Sequence, residues 1–126
     1  MKKGFTLIEL VMVIAILGIL AAMVLPRFID LQSKAKDSAA KGSLGAVRSA
    51  IAVAYASNAA NGVTPLVPAS IYPSQFQDSH IPIEPYSNSS SITFVADASA
   101  ITAGSGWAYD SANGRAWINS SLYTAY

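Results

Sequence analysis

Gly4-Phe5-Thr6-Leu7-Ile8-Glu9-Leu10 opens an almost unbroken apolar run that ends at Leu25, and its reading decides the fold. From Phe5 to Leu25 there are 21 residues and one charge, Glu9. At about 1.5 Å per residue, a helix of that length crosses the roughly 30 Å of a bilayer's hydrocarbon core. The run reads as a membrane segment. Its carboxylate is the exception, because an ionised Glu towards the middle of an apolar span costs on the order of 2 to 4 kcal/mol and is rarely left unpaired. Glu9 therefore needs a partner. Thr6-Leu7-Ile8-Glu9 offers one, since this is a Ser/Thr-x-x-Glu capping box in which Glu9 satisfies a free amide at a helix start.

Lys2-Lys3-Gly4, then Phe5-Thr6-Leu7-Ile8-Glu9, then a long apolar run with Gly18 and Pro26, resembles the processing signature of the type IV pilin family. That family includes pilus subunits and the pseudopilins of type II secretion. The close resemblance covers about the first 30 residues, and beyond them only the general layout continues. It implies that a membrane-embedded peptidase cuts between Gly4 and Phe5 and N-methylates the new Phe5 amine, while the apolar segment stays. It also implies that the helix between Gly18 and Pro26 can lose hydrogen bonds when a subunit joins a filament.

Residue chemistry agrees with an assembly role for Glu9. A cut before Phe5 places an ammonium one helical turn from Glu9, at the i, i+4 spacing where side chains meet, and opposite charges attract far more strongly in a low-dielectric slab than in water. Within one chain that pair only neutralises Glu9. Between two chains it fixes their axial stagger, because sliding either helix leaves a buried, unpaired charge. The resemblance favours the second use, and the capping box is compatible with it. Two competing readings are a plain signal anchor and a secretory signal peptide, the latter with Lys2 and Lys3 as basic region and Ala21-Ala22 near a cleavage point. Against the signal peptide, the apolar part exceeds the usual 7 to 15 residues or so, it contains Glu9, and Leu20 breaks the small-x-small pattern.

The 126 residues leave room for one modest domain beyond the membrane segment, with a small core. Mean hydropathy is +0.40, mostly from the first helix, and charged residues are only 12%. Formal net charge is +1 and becomes −1, six basic against seven acidic side chains, once Lys2 and Lys3 leave with the leader. No basic stripe points to nucleic acid. With no cysteine, neither a disulfide framework nor a thiolate metal site is available, a departure from the many pilins whose C-terminal region is closed by a disulfide. The resemblance requires the leader in the cytoplasm and the head outside. Counting basic residues alone votes the other way, with Lys2 and Lys3 before the span and Arg27, Lys34, Lys36 and Lys41 after it. Large translocated domains escape that rule, and the cleavage motif takes precedence.

Proline at position 26 predicts a kink rather than a stop, since the helical pattern resumes at once. From Arg27 to about Asn58, Phe28, Leu31, Ala35, Ala39, Val47, Ile51 and Tyr55 form one apolar stripe. Asp30 with Lys34 and Asp37 with Lys41 form i, i+4 pairs on the opposite face. Residues 5–58 thus read as one bent helix of about 80 Å, weakened at Gly42 and Gly45. Residues 59–91, with Asn61-Gly62 and Pro65, Pro68, Pro73, Pro82 and Pro85, read as an irregular connection. In residues 92–126, Ile92-Thr93-Phe94-Val95 alternates, and Trp107-Ala108-Tyr109 and Ala116-Trp117-Ile118 flank the turn Asp110-Ser111-Ala112-Asn113-Gly114. The expected fold is α+β and pilin-like: a long N-terminal helix packed against a small C-terminal antiparallel sheet. Phe94 and Trp107 or Trp117 are expected to bury against Val47, Ile51 and Tyr55.

Material for an enzyme site is poor. His80 is the sole histidine and reads as a solvated loop residue among Asp78, Pro82 and Glu84, and no Gly-x-Ser-x-Gly or paired Ser-x-x-Lys motif is present. Asp78, Glu84, Asp97 and Asp110 are dispersed, unlike the dense C-terminal calcium loop of the major pseudopilin, which favours a pilus subunit. Asn88-Ser89-Ser90 and Asn119-Ser120-Ser121 match the glycosylation tripeptide and read as chance matches in Ser-rich loops. The expectation is a filament subunit without cofactor or metal, its partners being copies of itself, the processing peptidase and methyltransferase, inner-membrane assembly machinery and, before assembly, membrane lipid. Its expected place is the bacterial cytoplasmic membrane, then an extracellular pilus or a periplasmic pseudopilus. The alternatives are a type II secretion pseudopilin, a signal-anchored periplasmic binding domain or a small secreted enzyme. The last two leave Glu9 dispensable.

Overall fold

The computed structural model describes residues 4–102 and 104–120, so Lys2, Lys3 and the last stretch of the expected sheet, 121–126, lie outside the described residues. Helix α1 spans Leu7–Ala60 and includes Pro26. The chain forms two compact units, Met1–Ala35 and Lys36–Tyr126.

From Leu7 onward the first unit is helix. Every large apolar side chain from Phe5 to Leu31 is exposed, among them Phe28 at 72% and Leu31 at 68%. The apolar part of that surface suits hydrocarbon rather than water, since the helix satisfies its own backbone, and between Leu7 and Leu25 Glu9 is the one charged side chain. The helix continues through Gly18 and Pro26 without interruption. Pro26 has no N–H, so the carbonyl of Ala22 lacks its usual donor four residues on.

In the second unit, Ala40, Leu44, Val47 and Ile51 on the helix meet Ile71 and the sheet residues Trp107, Tyr109, Ala116 and Ile118 in one buried cluster. The spacings of four, three and four place those helix residues on one face. The buried face therefore differs from the expected stripe. Val47 and Ile51 belong to it, whereas Phe28, Leu31, Ala35 and Ala39 are exposed and Tyr55 keeps 44% of its surface. The cover arrives from the sheet and from Ile71, and among the described residues it buries helix positions between 40 and 51.

The helix outruns its expected end at Asn58 and closes in a Schellman motif. Val63 N–H donates to the Asn58 carbonyl at 2.9 Å and Gly62 N–H to that of Ala59 at 3.3 Å. Gly62 holds φ of 66°, which a residue without Cβ adopts at little cost. Asn61-Gly62 is thus a helix cap rather than the start of a free loop.

The sheet has three strands, β1 (Ile92–Phe94), β2 (Trp107–Asp110) and β3 (Arg115–Ile118), in that spatial order. The fold is α+β, but the sheet is mixed and not purely antiparallel. β2 and β3 form the expected antiparallel hairpin, with Trp107 opposite Ile118 and Tyr109 opposite Ala116. β1 lies parallel to β2, with Ile92 beside Trp107 and Phe94 beside Tyr109. Parallel neighbours need a crossover of about a dozen residues or more, and residues 95–106, containing the short 3₁₀ turn Ala98–Ala100, supply it. On the core face, alternate residues Trp107 and Tyr109 are fully buried. Trp117, on the other face, is half-buried, and Phe94 is 58% exposed, resting edge-on against Tyr109 with ring centroids 6.2 Å apart. The expected burial thus holds for Trp107 and fails for Phe94, whose strand is the sheet's edge.

Candidate processing and assembly site

The site begins at the entry to α1. Thr6 N–H donates to Glu9 Oε2 at 2.8 Å, Thr6 Oγ1 donates to the same oxygen at 2.7 Å, and Glu9 N–H reaches back to Thr6 Oγ1 at 3.3 Å. This is the capping box anticipated from the sequence, and it starts the helix because two amides that would lack intrahelical partners are satisfied by one pair of side chains. Both bonds to the carboxylate fall on Oε2. Among the described residues Oε1 receives none, so acceptor capacity remains on the side of the carboxylate away from Thr6. Gly4 and Phe5 precede the helix in non-helical conformation, and Phe5 is 86% exposed. Gly18 is open all round, and a Cβ built there meets nothing within 4 Å.

Further along the helix, the Asp37–Lys41 pair forms at 3.0 Å. Among the described residues Asp30 and Lys34 are not joined by an ion pair, so the other expected pairing is absent from this chain.

Three acidic residues of the head, Glu84, Asp97 and Asp110, each organise a separate local turn. Glu84 is buried, and its carboxylate accepts from Tyr86 N–H, Ser87 N–H and Ser87 Oγ at 2.6 to 2.7 Å. Asp97 caps the 3₁₀ turn that follows it, and its carboxyl is held below its ordinary pKa by the Ser99 hydroxyl and then the Ser99 amide. Asp110 accepts from Ala112 N–H at 2.9 Å, Asn113 N–H at 3.1 Å and Asn113 Nδ2 at 2.7 Å. The Asn113 side chain is the main cause that holds Asp110 below its ordinary value. Burial pushes the neighbouring Tyr109 phenol up, with Asp110 adding to the effect, and the phenol donates to the Pro68 carbonyl. Sequence reading missed these roles at Glu84 and Asp110; an acidic side chain followed two or three residues later by free amides is the signal that finds them.

His80 is exposed, and its Nδ1 lies against the Asp78 carbonyl. Asn119, the acceptor of one glycosylation tripeptide, is buried, with its amide donated to Thr93 Oγ1 and the Ser105 carbonyl. Two shallow grooves lie beside the helix end. One, of about 280 Å³, is lined by Arg48, Ile51, Tyr55, Val67, Pro68 and Gly114, and the other, of about 310 Å³, by Ala54, Asn58, Val63, Pro65 and Tyr72 among others. Each is lined by one tyrosine, Tyr55 and Tyr72, among mostly apolar and amide side chains.

The chemistry of the site is therefore concentrated at its N-terminal end: a Gly–Phe junction, a capped Glu and an apolar span. Residues 1–25 match the family described as the prokaryotic N-terminal methylation motif. The N-terminal segment of the chain is similar to those of type IV pilins and of a type II secretion protein. Over 52 residues it is 54% identical to the type IV narrow pilus major component PilA5 of Thermus thermophilus, an alignment covering 41% of this chain and 45% of that protein. It is 54% identical over 49 residues to the type IV major pilin protein PilA of Myxococcus xanthus, covering 39% of this chain and 22% of the relative. It is 46% identical over 50 residues to the type II secretion system core protein G of Pseudomonas aeruginosa, covering 40% and 35%. The matched segment spans less than half the length of each of these relatives. No solved structure matches the chain.

Proposed function

We propose that this chain is a structural subunit of a type IV pilus, not an enzyme, made as a precursor and trimmed between Gly4 and Phe5 by a prepilin peptidase that also methylates the Phe5 amine. Residues 1–4 are then the leader, and residues 5–25 anchor the protein in the cytoplasmic membrane before assembly and form the filament core afterwards. The observation that carries this reading is the juxtaposition of the exposed Gly4–Phe5 junction with Glu9, whose Oε2 is engaged by Thr6 and whose Oε1 is left open. An ammonium created at Phe5 of a neighbouring copy supplies the partner that Oε1 lacks, and it sets the axial stagger of the two helices. The names of the pilus relatives support the same reading.

Apolar helix surface moves from lipid to sister helices on assembly, so the hydrophobic effect changes little and packing with the Glu9 pair supplies specificity. The stretch from Gly18 to Pro26, helical in the single chain and already short of one hydrogen bond, is the place where the helix opens to fit its neighbours. Inner-membrane assembly machinery drives polymerisation. A second reading, a pseudopilin of type II secretion acting in the periplasm, is favoured by the match to core protein G.

Intact mass and N-terminal sequencing of filaments sheared from cells test the proposal. A chain that starts at methylated Phe5 and dominates the sheared fraction is expected. The same mature chain confined to membrane and periplasm would select the pseudopilin reading, and a chain starting near Met23 would overturn both.

A further inference from the structure

Asparagine followed by glycine occurs twice, at Asn61-Gly62 and Asn113-Gly114. In such a pair the glycine nitrogen can attack the asparagine side-chain carbonyl, because no Cβ obstructs the approach. The glycine N–H gives its proton to hydroxide, the nitrogen bonds to Asn Cγ, and the Cγ–Nδ2 bond breaks, releasing the side-chain nitrogen as ammonia. Water then opens the cyclic imide at either carbonyl to give aspartate or isoaspartate. The balance is Asn plus water to Asp or isoAsp plus ammonia, with no oxidation or reduction.

The two sites share Ala-Asn-Gly and differ in what holds them, a carboxylate at Asn113 and a helix carbonyl at Asn61. At the hairpin turn the attacking nitrogen is occupied, since Gly114 N–H donates to the Asp110 carbonyl at 2.8 Å. The side chain to be attacked is occupied too, with Asn113 Nδ2 on Asp110 Oδ2 at 2.7 Å and Asn113 N–H on Asp110 Oδ1 at 3.1 Å. Cyclisation would have to break these bonds, strip a buried carboxylate of its donors and create an anionic nitrogen close to it. At the helix end, among the described residues, Gly62 N–H makes only the longer 3.3 Å bond to the Ala59 carbonyl. Asn61 is exposed, its N–H and Nδ2 both donate to the Ser57 carbonyl at 3.0 and 2.8 Å, and among the described residues no acidic side chain bonds it. It also sits in a terminal helical turn, the part of a helix that opens most readily.

We propose that Asn61 is a site of spontaneous deamidation, water being the co-reactant, and that the Asp110 carboxylate shields Asn113 from the same reaction. Each event adds one negative charge at the C-terminal end of α1, where the helix dipole disfavours it, and removes the donor to Ser57. Isoaspartate also reroutes the backbone through the side chain and dismantles the helix cap at Gly62. This inference is independent of the filament reading.

The test is timed incubation of the full chain in detergent at mildly alkaline pH, with fragment-ion mass spectrometry to locate the change and a protein isoaspartate methyltransferase to score the isomer. Asn61 is expected to convert at least about tenfold faster than Asn113, the ratio that about one extra hydrogen bond of protection gives. In denaturing urea the two sites should convert at similar rates, and Asp110→Ala should release Asn113 in the native buffer. Equal native rates, or faster conversion at Asn113, would overturn the proposal whether or not the Asp110 variant folds.

Discussion

Glu9 uses one carboxylate oxygen for both Thr6 donors, and this division lets a single residue start a helix and still meet a charge from elsewhere. Glu9→Gln keeps an acceptor for Thr6 and loses the charge, whereas Thr6→Ala removes the hydroxyl partner and keeps the charge. If Glu9 pairs with a neighbour's amine, Glu9→Gln and Glu9→Val abolish pilus assembly, as read by electron microscopy and sheared-pilin yield, while Thr6→Ala assembles with helix stability lowered by about 1 kcal/mol. A Glu9→Val protein that still assembled normally would sink the pairing. Asp110 makes a pH prediction at the same scale. Its folded pKa lies below the ordinary 3.8, so its contribution to stability is complete above that value and is lost as pH falls through the depressed folded value. Urea midpoints of wild type should drop as pH is taken below about 4, and the drop should be shallower in Asp110→Asn. An equally steep acid limb in the variant would assign the loss to other carboxylates.

At the scale of elements, the decisive correction is the buried face of α1. Leu44→Ala empties a site that is 3% exposed and should lower head stability by about 2 to 5 kcal/mol, whereas Leu31→Ala, at 68% exposure, should leave it within about 0.5 kcal/mol. Urea unfolding of the detergent-solubilised chain, followed by Trp107 and Trp117 fluorescence, measures both. Periodicity placed Leu31 in the apolar stripe and left Leu44 out of it, because which leucine is covered depends on strands that lie dozens of residues later in sequence. The N-terminal segment was legible because a bilayer demands a fixed apolar length and a capping box is a local pattern. The hairpin was legible because Asn113-Gly114 marks its turn. The parallel docking of β1 was not, since Ile92-Thr93-Phe94 encodes a strand but not its neighbour. The backbone shows what secures that docking: Trp107 N–H donates to the Ser91 carbonyl at 2.8 Å, immediately after Gly106 at φ 76°. A Cβ at Gly106 would sit 2.2 Å from the Ser91 carbonyl oxygen, so Gly106→Ala should cost at least about 2 kcal/mol, with the loss centred on β1 protection in amide exchange.

For the whole molecule, the exposed apolar surface of residues 5–31 predicts an integral membrane protein. Alkaline carbonate and high salt should leave it in the membrane pellet, and detergent should release it. Release by salt alone would mean that the helix lies on the bilayer rather than across it. The head holds its core to the helix from the far end of the chain. Arg48 donates through Nε and Nη2 to the carbonyl of Ala116, 68 positions later, and the strands around that carbonyl cover Leu44, Val47 and Ile51. Chains are synthesised at about 5 to 20 residues per second, so roughly 3 to 14 seconds separate the appearance of the helix from that of its cover. During that interval Leu44, Val47 and Ile51 are without the strands that cover them. The newborn protein is thus most vulnerable to proteases and to premature self-association in a window fixed by the order of its own sequence.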